Sequence, residues 1–144
     1  MASGGGSLLA FDYGRRRIGV AVGNTLTRHA QPLVTLAATD GGPDWARVAA
    51  LLEEWRPVRL VVGVPYNDAP PDAGVAAEAQ RFARRLRGRF GLPVDTVDEQ
   101  LSSAAAHDRL RAARREGRRG PIAKQDIDSA AAAVILQDWL DNHP

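Results

Sequence analysis

The sequence predicts an α/β domain on a five-stranded mixed sheet, three strands in an antiparallel meander and two more in parallel, flanked by about four helices. Three observations predict it. Residues 7–37 hold three short apolar runs joined by turns too short for a crossover helix. After them, helix-period and strand-period segments alternate to the C-terminus. The 144 residues suit one domain that buries its own core, and they contain no internal repeat.

Residues 1–6, rich in glycine, read as a flexible lead-in, with the domain over residues 7–141. Leu8–Asp12, Ile18–Val22 and Pro32–Leu36 are the meander strands, with a polar turn at Asn24–Arg28. Asp40-Gly41-Gly42-Pro43 turns the chain into a helix from about Asp44 to Trp55, where Trp45, Val48, Ala49, Leu52 and Trp55 recur at helical spacing before Pro57 stops it. Arg59–Val64 is apolar enough for a strand covered on both faces. The loop Pro65–Pro71 follows at its carboxyl end, where open α/β sheets place ligands. Asp72–Arg87 reads as a second helix ended by Gly88, and Gly91-Leu92-Pro93 leads into a fifth strand, Val94–Asp98. Ser102 caps a third helix reaching about Arg115, a Gly/Arg-rich stretch covers Glu116–Pro121, and the last helix runs from near Asp126 to near Leu140.

No cysteine is present, which excludes a disulfide framework and a thiolate zinc site. Nothing resembles a signal peptide or a membrane-length apolar run, so a cytoplasmic protein without membrane partners is expected. The formal net charge is only +2, yet 18 of the 19 basic residues are arginine and Lys124 is the one lysine. Eleven arginines fall between Arg81 and Arg119 against five acids, a belt suited to phosphate recognition. A GC-rich genome explains the choice of arginine over lysine but not the clustering.

The chemistry starts at Asp12, which ends the apolar run Leu8–Phe11 and is followed by Tyr13-Gly14-Arg15-Arg16-Arg17. An unpaired carboxylate on a strand buried on both faces costs several kcal/mol, so Asp12 demands a cationic partner. Two acids open the last helix. Asp126 and Asp128 lie about 200° apart around its axis, so only one can face the sheet. Asp128 shares its stripe with Ala131, Ala132, Ile135 and Trp139 and is the inward acid, whereas Asp126 suits an N-cap or first-turn position. Asp12 and Glu99 at strand ends and Asp128 at a helix start can meet at one rim of the sheet. Each pair at about 5 Å would repel by about 3 kcal/mol at an effective dielectric near 20. Hard divalent cations remove that cost, and all-oxygen ligands suit Mg²⁺ or Mn²⁺, with two ions serving phosphodiester hydrolysis.

These residues also carry a resemblance. Leu9–Gly23, Val62-Gly-Val-Pro-Tyr-Asn67, Ala79–Leu86, Val97-Asp-Glu-Gln-Leu-Ser-Ser103 and Lys124–Leu136 resemble, in order, the blocks of the YqgF or RuvX family of the RNase H-like superfamily. The resemblance covers about Ser7 to Leu140. It implies an RNase H-like fold and a metal-dependent nuclease for the 5′ end of precursor 16S ribosomal RNA, with ribosomal particles as partners; the family's older name implies resolution of branched DNA junctions. It carries the catalytic and metal-binding acids over to Asp12, Glu99 and Asp128, and it includes Asn67 as a nucleic-acid contact. Gln100 stands where the family usually has arginine, and Ser102-Ser103 replaces a usual Ser-Thr pair.

Arg15, Arg16 and Arg17 are expected to contact backbone phosphates beside Asp12, and Lys124 to steer the scissile phosphate. Ser102 and Ser103 read as helix caps, the three histidines form no metal site, and Trp45, Trp55 and Trp139 read as core. Two other functions compete with a nuclease. The Asp-Tyr-Gly turn is similar to the phosphate loop of actin-like kinases, but those enclose nucleotide between two domains and this chain supplies one. A non-catalytic RNA- or ribosome-associated factor would use the same basic surface. Junction resolution would favour a homodimer; single-strand processing needs only a monomer.

Overall fold

The computed structural model of the chain describes residues 6–39, 42–64, 73–98 and 123–143. The strands are β1 (Ser7–Asp12), β2 (Arg17–Asn24), β3 (His29–Thr39), β4 (Gly42–Pro43), β5 (Arg59–Val64) and β6 (Val94–Asp98); the helices are α1 (Trp45–Trp55), α2 (Ala73–Phe90) and α3 (Ala123–Asn142). They form one sheet in the order β4-β3-β2-β1-β5-β6. The expected meander is β1-β2-β3, and β5 and β6 lie parallel to β1. The sheet has six strands rather than five because Gly42 and Pro43, read from sequence as turn, pair with Thr39 and Ala38. Two residues are too few to carry a period; the pairing exists because β3 extends to meet them. The helix expected from Ser102 lies outside the described residues.

Strand alternation divides the core. Leu9 and Phe11 of β1 face α1 and α2 and pack with Val48, Leu52, Phe82 and Leu86, whereas Leu8 and Ala10 face α3 and pack with Ile135, Leu136 and Leu140. Both faces of the central strands are covered, which is why they read as unbroken apolar runs. Phe11 is fully buried and meets Phe82 edge-to-face, with centroids 5.6 Å apart. Burying a side chain of this size stabilises by about 1.5–3 kcal/mol.

Tertiary contacts moved several boundaries. β3 starts at His29, so the polar turn tightens to Thr25–Arg28; Arg28 adopts φ 57° and donates its N–H to the Asn24 carbonyl at 2.8 Å. A register shift opposite Val20/Ala21 accommodates Pro32, which has no N–H to give the ladder. α1 follows its sequence signal: Asp44 caps it by accepting from the Arg47 N–H, and Arg56 ends it in the left-handed region. α2 runs through Gly88 to Phe90, and the chain breaks at Gly91, φ 68°, whose N–H bonds the Arg87 carbonyl. Phe90 packs beside Trp45, and that contact offsets the propensity cost of Gly88. Gly6 and Ser7 are ordered by the sheet: the Gly6 N–H donates to the Thr25 hydroxyl, the Gly6 carbonyl accepts from the Thr25 N–H, and Ser7 pairs with Asn24.

α3 begins at Ala123, so Asp126 is its fourth residue and not its N-cap. The helix lies close on the sheet because small residues meet there: Ala131 and Ala132 on one side, Gly19, Ala21, Gly23 and Gly63 on the other. Farther along, the Trp139 indole donates to Asp95 at 3.0 Å while Arg59 bonds the other Asp95 oxygen at 2.9 Å, tying α3, β6 and β5 together. Trp139 and the partly buried Trp45 and Trp55 pack on the cores, as their helical spacing predicts.

Candidate active site

Asp12 is the last residue of β1 and, by alternation with Leu8 and Ala10, faces α3. Its two sheet neighbours are both glycine: Gly19 on β2 and Gly63 on β5. The sheet around the carboxylate is therefore bare backbone, and α3 fills the space. A Cβ on Gly19 would overlap the main-chain carbonyl oxygen of Asp128 and come within 2.9 Å of the Ser129 nitrogen. A Cβ on Gly63 would overlap the Ile135 side chain. Directly paired residues carry their Cβ positions about 5 Å apart. Asp12 and Asp128 are thus neighbours separated by one glycine, at the carboxyl-end rim where sequence reasoning brings them together.

Arg17 opens β2 on the same face as Gly19, and its Nε bonds the Asp128 Oδ2 at 2.6 Å. The pair is part-buried, with the Asp128 side chain 25% exposed, which makes the charge-assisted bond stronger than an open surface pair. Arg15 turns to the opposite face and grips Glu78 of α2 through Nε at 2.8 Å and a terminal nitrogen at 2.7 Å. The Tyr13 hydroxyl bonds the other Glu78 oxygen at 3.3 Å. Burial first, and then the Glu78 charge, raises the Tyr13 pKa above its ordinary value. Glu78 is held below the usual carboxylate range chiefly by its hydrogen bond from Arg15.

The arginine triplet therefore divides. Arg15 and Arg17 are held by carboxylates of the protein, and Arg16 remains exposed at the turn, its carbonyl accepting from the Ala38 N–H. Lys124 is the second residue of α3, one turn ahead of Asp128. Glu99 and Asn67 lie outside the described residues; Asp98, at the described end of β6, is the residue before Glu99 in sequence. Among the described residues no three acids, histidines or cysteines are grouped as a metal site. What is present fits a hard cation: two oxygen donors, Asp12 and Asp128, are adjacent on a rim, and among the described residues no sulfur or imidazole joins them as a metal-ligand group. Sequence reasoning missed Gly19, Gly63 and Glu78. The first two were visible as glycines inside strand runs, a mark of close backbone approach; Glu78 had no local signal, since its partners lie 63 and 65 residues away.

The family model RuvX, described as a Holliday junction resolvase, matches residues 6–142. The chain belongs to the RuvX family. Its similarity to RuvX relatives is nearly full length. It is 48% identical over 143 residues to a protein of Azotobacter vinelandii named "Putative pre-16S rRNA nuclease", covering 99% of this chain and 98% of that one. The same name is carried by a Pseudomonas putida protein, 48% identical over 134 residues, with 93% and 94% covered. Among solved structures, RuvC of T. thermophilus in complex with a Holliday junction substrate aligns with TM-score 0.57 at 17% identity, covering 95% and 96% of the two chains. The Fowlpox virus resolvase bound to Holliday junction DNA aligns with TM-score 0.52 at 12% identity over 94% and 97%. At these identities the structural likeness establishes the RNase H-like fold of this RuvX chain and nothing finer.

Proposed function

We propose that this RuvX chain is a cytoplasmic, metal-dependent endonuclease that hydrolyses RNA phosphodiesters in 5′-end maturation of precursor 16S ribosomal RNA, meeting its substrate on ribosomal particles. The near-full-length identity to relatives bearing the pre-16S rRNA nuclease name supports the substrate. The observation that carries the chemistry is the placement of Asp12 between Gly19 and Gly63 with the Asp128 backbone laid on Gly19. Such close packing fixes two carboxylate-bearing residues to one rim through backbone rather than through flexible side chains.

In this reading Asp12, Asp128 and Glu99 hold Mg²⁺ or Mn²⁺, which when bound supplies activation of a water and stabilisation of the leaving oxygen. The chain's own residues do the positioning. Arg17 holds the Asp128 carboxylate in one orientation and offsets its charge against Asp12 until the site is filled. The Tyr13–Glu78–Arg15 cluster pins the turn after Asp12 to α2, so the carboxylate cannot swing with a loose hairpin tip. Lys124 is assigned to the substrate phosphate.

Asp12→Asn tests the assignment. It keeps the side-chain volume and removes one negative charge, so the fold should persist while cleavage with Mg²⁺ or Mn²⁺ falls by orders of magnitude. Cleavage at the wild-type rate refutes the site. Running precursor RNA and a four-way DNA junction side by side decides the substrate, and faster cutting of the junction overturns the RNA reading.

A further inference from the structure

The outer face of α2 presents Arg81, Arg84 and Arg85, all exposed and all on one side of the helix, since positions three and four apart share a face. The helix carries two more arginines, but both have structural work: Arg87 donates to the Val94 carbonyl at 2.9 Å and Arg89 stacks over Trp45 at 4.2 Å. The inner face is spent on the core through Ala79, Phe82, Ala83 and Leu86. After Glu78, which Arg15 already occupies, α2 contains no acid. Among the described residues no carboxylate forms a close ion pair with Arg81, Arg84 or Arg85; the Arg81 charge acts on Glu78 only from a distance, as the last of the causes that hold it low. Like charges three and four apart oppose helix formation, so this ridge works against the stability of the element that carries it. Codon preference accounts for arginine in place of lysine, not for a helix that sets five arginines against the single acid Glu78.

The position of the ridge supplies the reason. α2 connects the parallel strands β5 and β6, so it starts at their carboxyl-end rim and runs back across the sheet. Arg81 is one turn beyond Glu78, which is bonded to Tyr13 and Arg15 just after Asp12. At about 1.5 Å rise per residue, Arg84 and Arg85 follow at roughly 4.5 and 6 Å from Arg81 along the axis. Arg16 stands exposed at the same rim. Four guanidinium groups with no ion-paired carboxylate among the described residues therefore form a line that ends at the candidate site.

We propose that Arg16, Arg81, Arg84 and Arg85 form a phosphate-backbone track, which holds a polynucleotide along α2 and delivers it over the rim to Asp12. The track rests on the nuclease reading only for the direction of delivery; the polynucleotide is recognised by its backbone charge. Binding is measured with a fluorescently labelled 30-nucleotide single-stranded RNA in EDTA, so cleavage does not enter. The triple variant R81Q/R84Q/R85Q removes three contacts with residues that support helix. At about 0.7 ion released per single-strand phosphate, the slope of log affinity against log salt falls by about 2, and affinity at 0.1 M salt falls about a hundredfold. R47Q/R56Q, exposed arginines on and just after α1, is the control and leaves the slope in place. An unchanged slope in the triple variant, an equal loss per charge in the control, or no RNA binding by the wild-type chain overturns the track. Asp12→Asn retains the slope, so loss of cleavage there with binding intact separates the catalytic reading from this one.

Discussion

Replacing Gly19 by alanine adds one methyl group at the point where α3 rests on the sheet. The new Cβ would overlap the Asp128 carbonyl oxygen and sit 2.9 Å from the Ser129 nitrogen, both main-chain atoms that cannot rotate away. Restoring ordinary contact distances requires the start of α3 to retreat by more than 1 Å, about 1.5 Å. Overpacking of this kind costs about 1–3 kcal/mol, and urea unfolding should show it as a lower midpoint with an unchanged slope. A 1 Å displacement of Asp128 relative to Asp12 should lower metal-dependent cleavage about a hundredfold. Gly63→Ala is the comparison. Its Cβ meets the end of the Ile135 side chain, with the next atoms at 3.3 and 3.5 Å, so the side chain can turn and the helix stays in place. Adding Ile135→Val to Gly63→Ala should recover most of the lost stability, giving a coupling energy in a double-mutant cycle. If Gly19→Ala cleaves within a few-fold of wild type while Gly63→Ala does not, the helix contact at Gly19 does not set the site.

Three further outcomes follow from the ion pairs around Asp12. Arg17→Ala should cost about 1 kcal/mol, because the pair is only part-buried, and should bind Mn²⁺ more tightly by calorimetry, because the cation no longer competes with a guanidinium for Asp128; unchanged Mn²⁺ affinity would separate Arg17 from the site. Tyr13 should ionise later than free tyrosine in an absorbance titration, which Tyr13→Phe isolates because the chain has only 2 tyrosines. Its raised folded value means that its contribution to stability is present below about pH 10 and is lost as pH climbs through the folded value. Glu78, held low by Arg15, has the opposite sign: its contribution is present above about pH 4.3 and disappears as pH falls through the depressed folded value. Glu78→Gln should flatten the acid limb and leave part of the Tyr13 shift, since burial is the larger cause.

Much of this chain could be read along its length because strong local signals agree with the final packing. The runs at Leu8–Asp12, Arg59–Val64 and Val94–Asp98 are strands where their pattern puts them, and the stripe Asp128, Ala131, Ala132, Ile135 and Trp139 faces the sheet as its helical angle requires. Periodicity is a property of consecutive residues, so consecutive residues reveal it. Distances between segments are not. That Arg17 closes on Asp128 from 111 residues away, that Arg15 turns to Glu78 and leaves Arg16 at the tip, and that Gly19 gives its missing side chain's volume to the α3 backbone were settled when the layers packed. Three adjacent arginines look alike in one dimension, but strand alternation and the helices on each face give them three different surroundings, and those surroundings decide which one is left exposed.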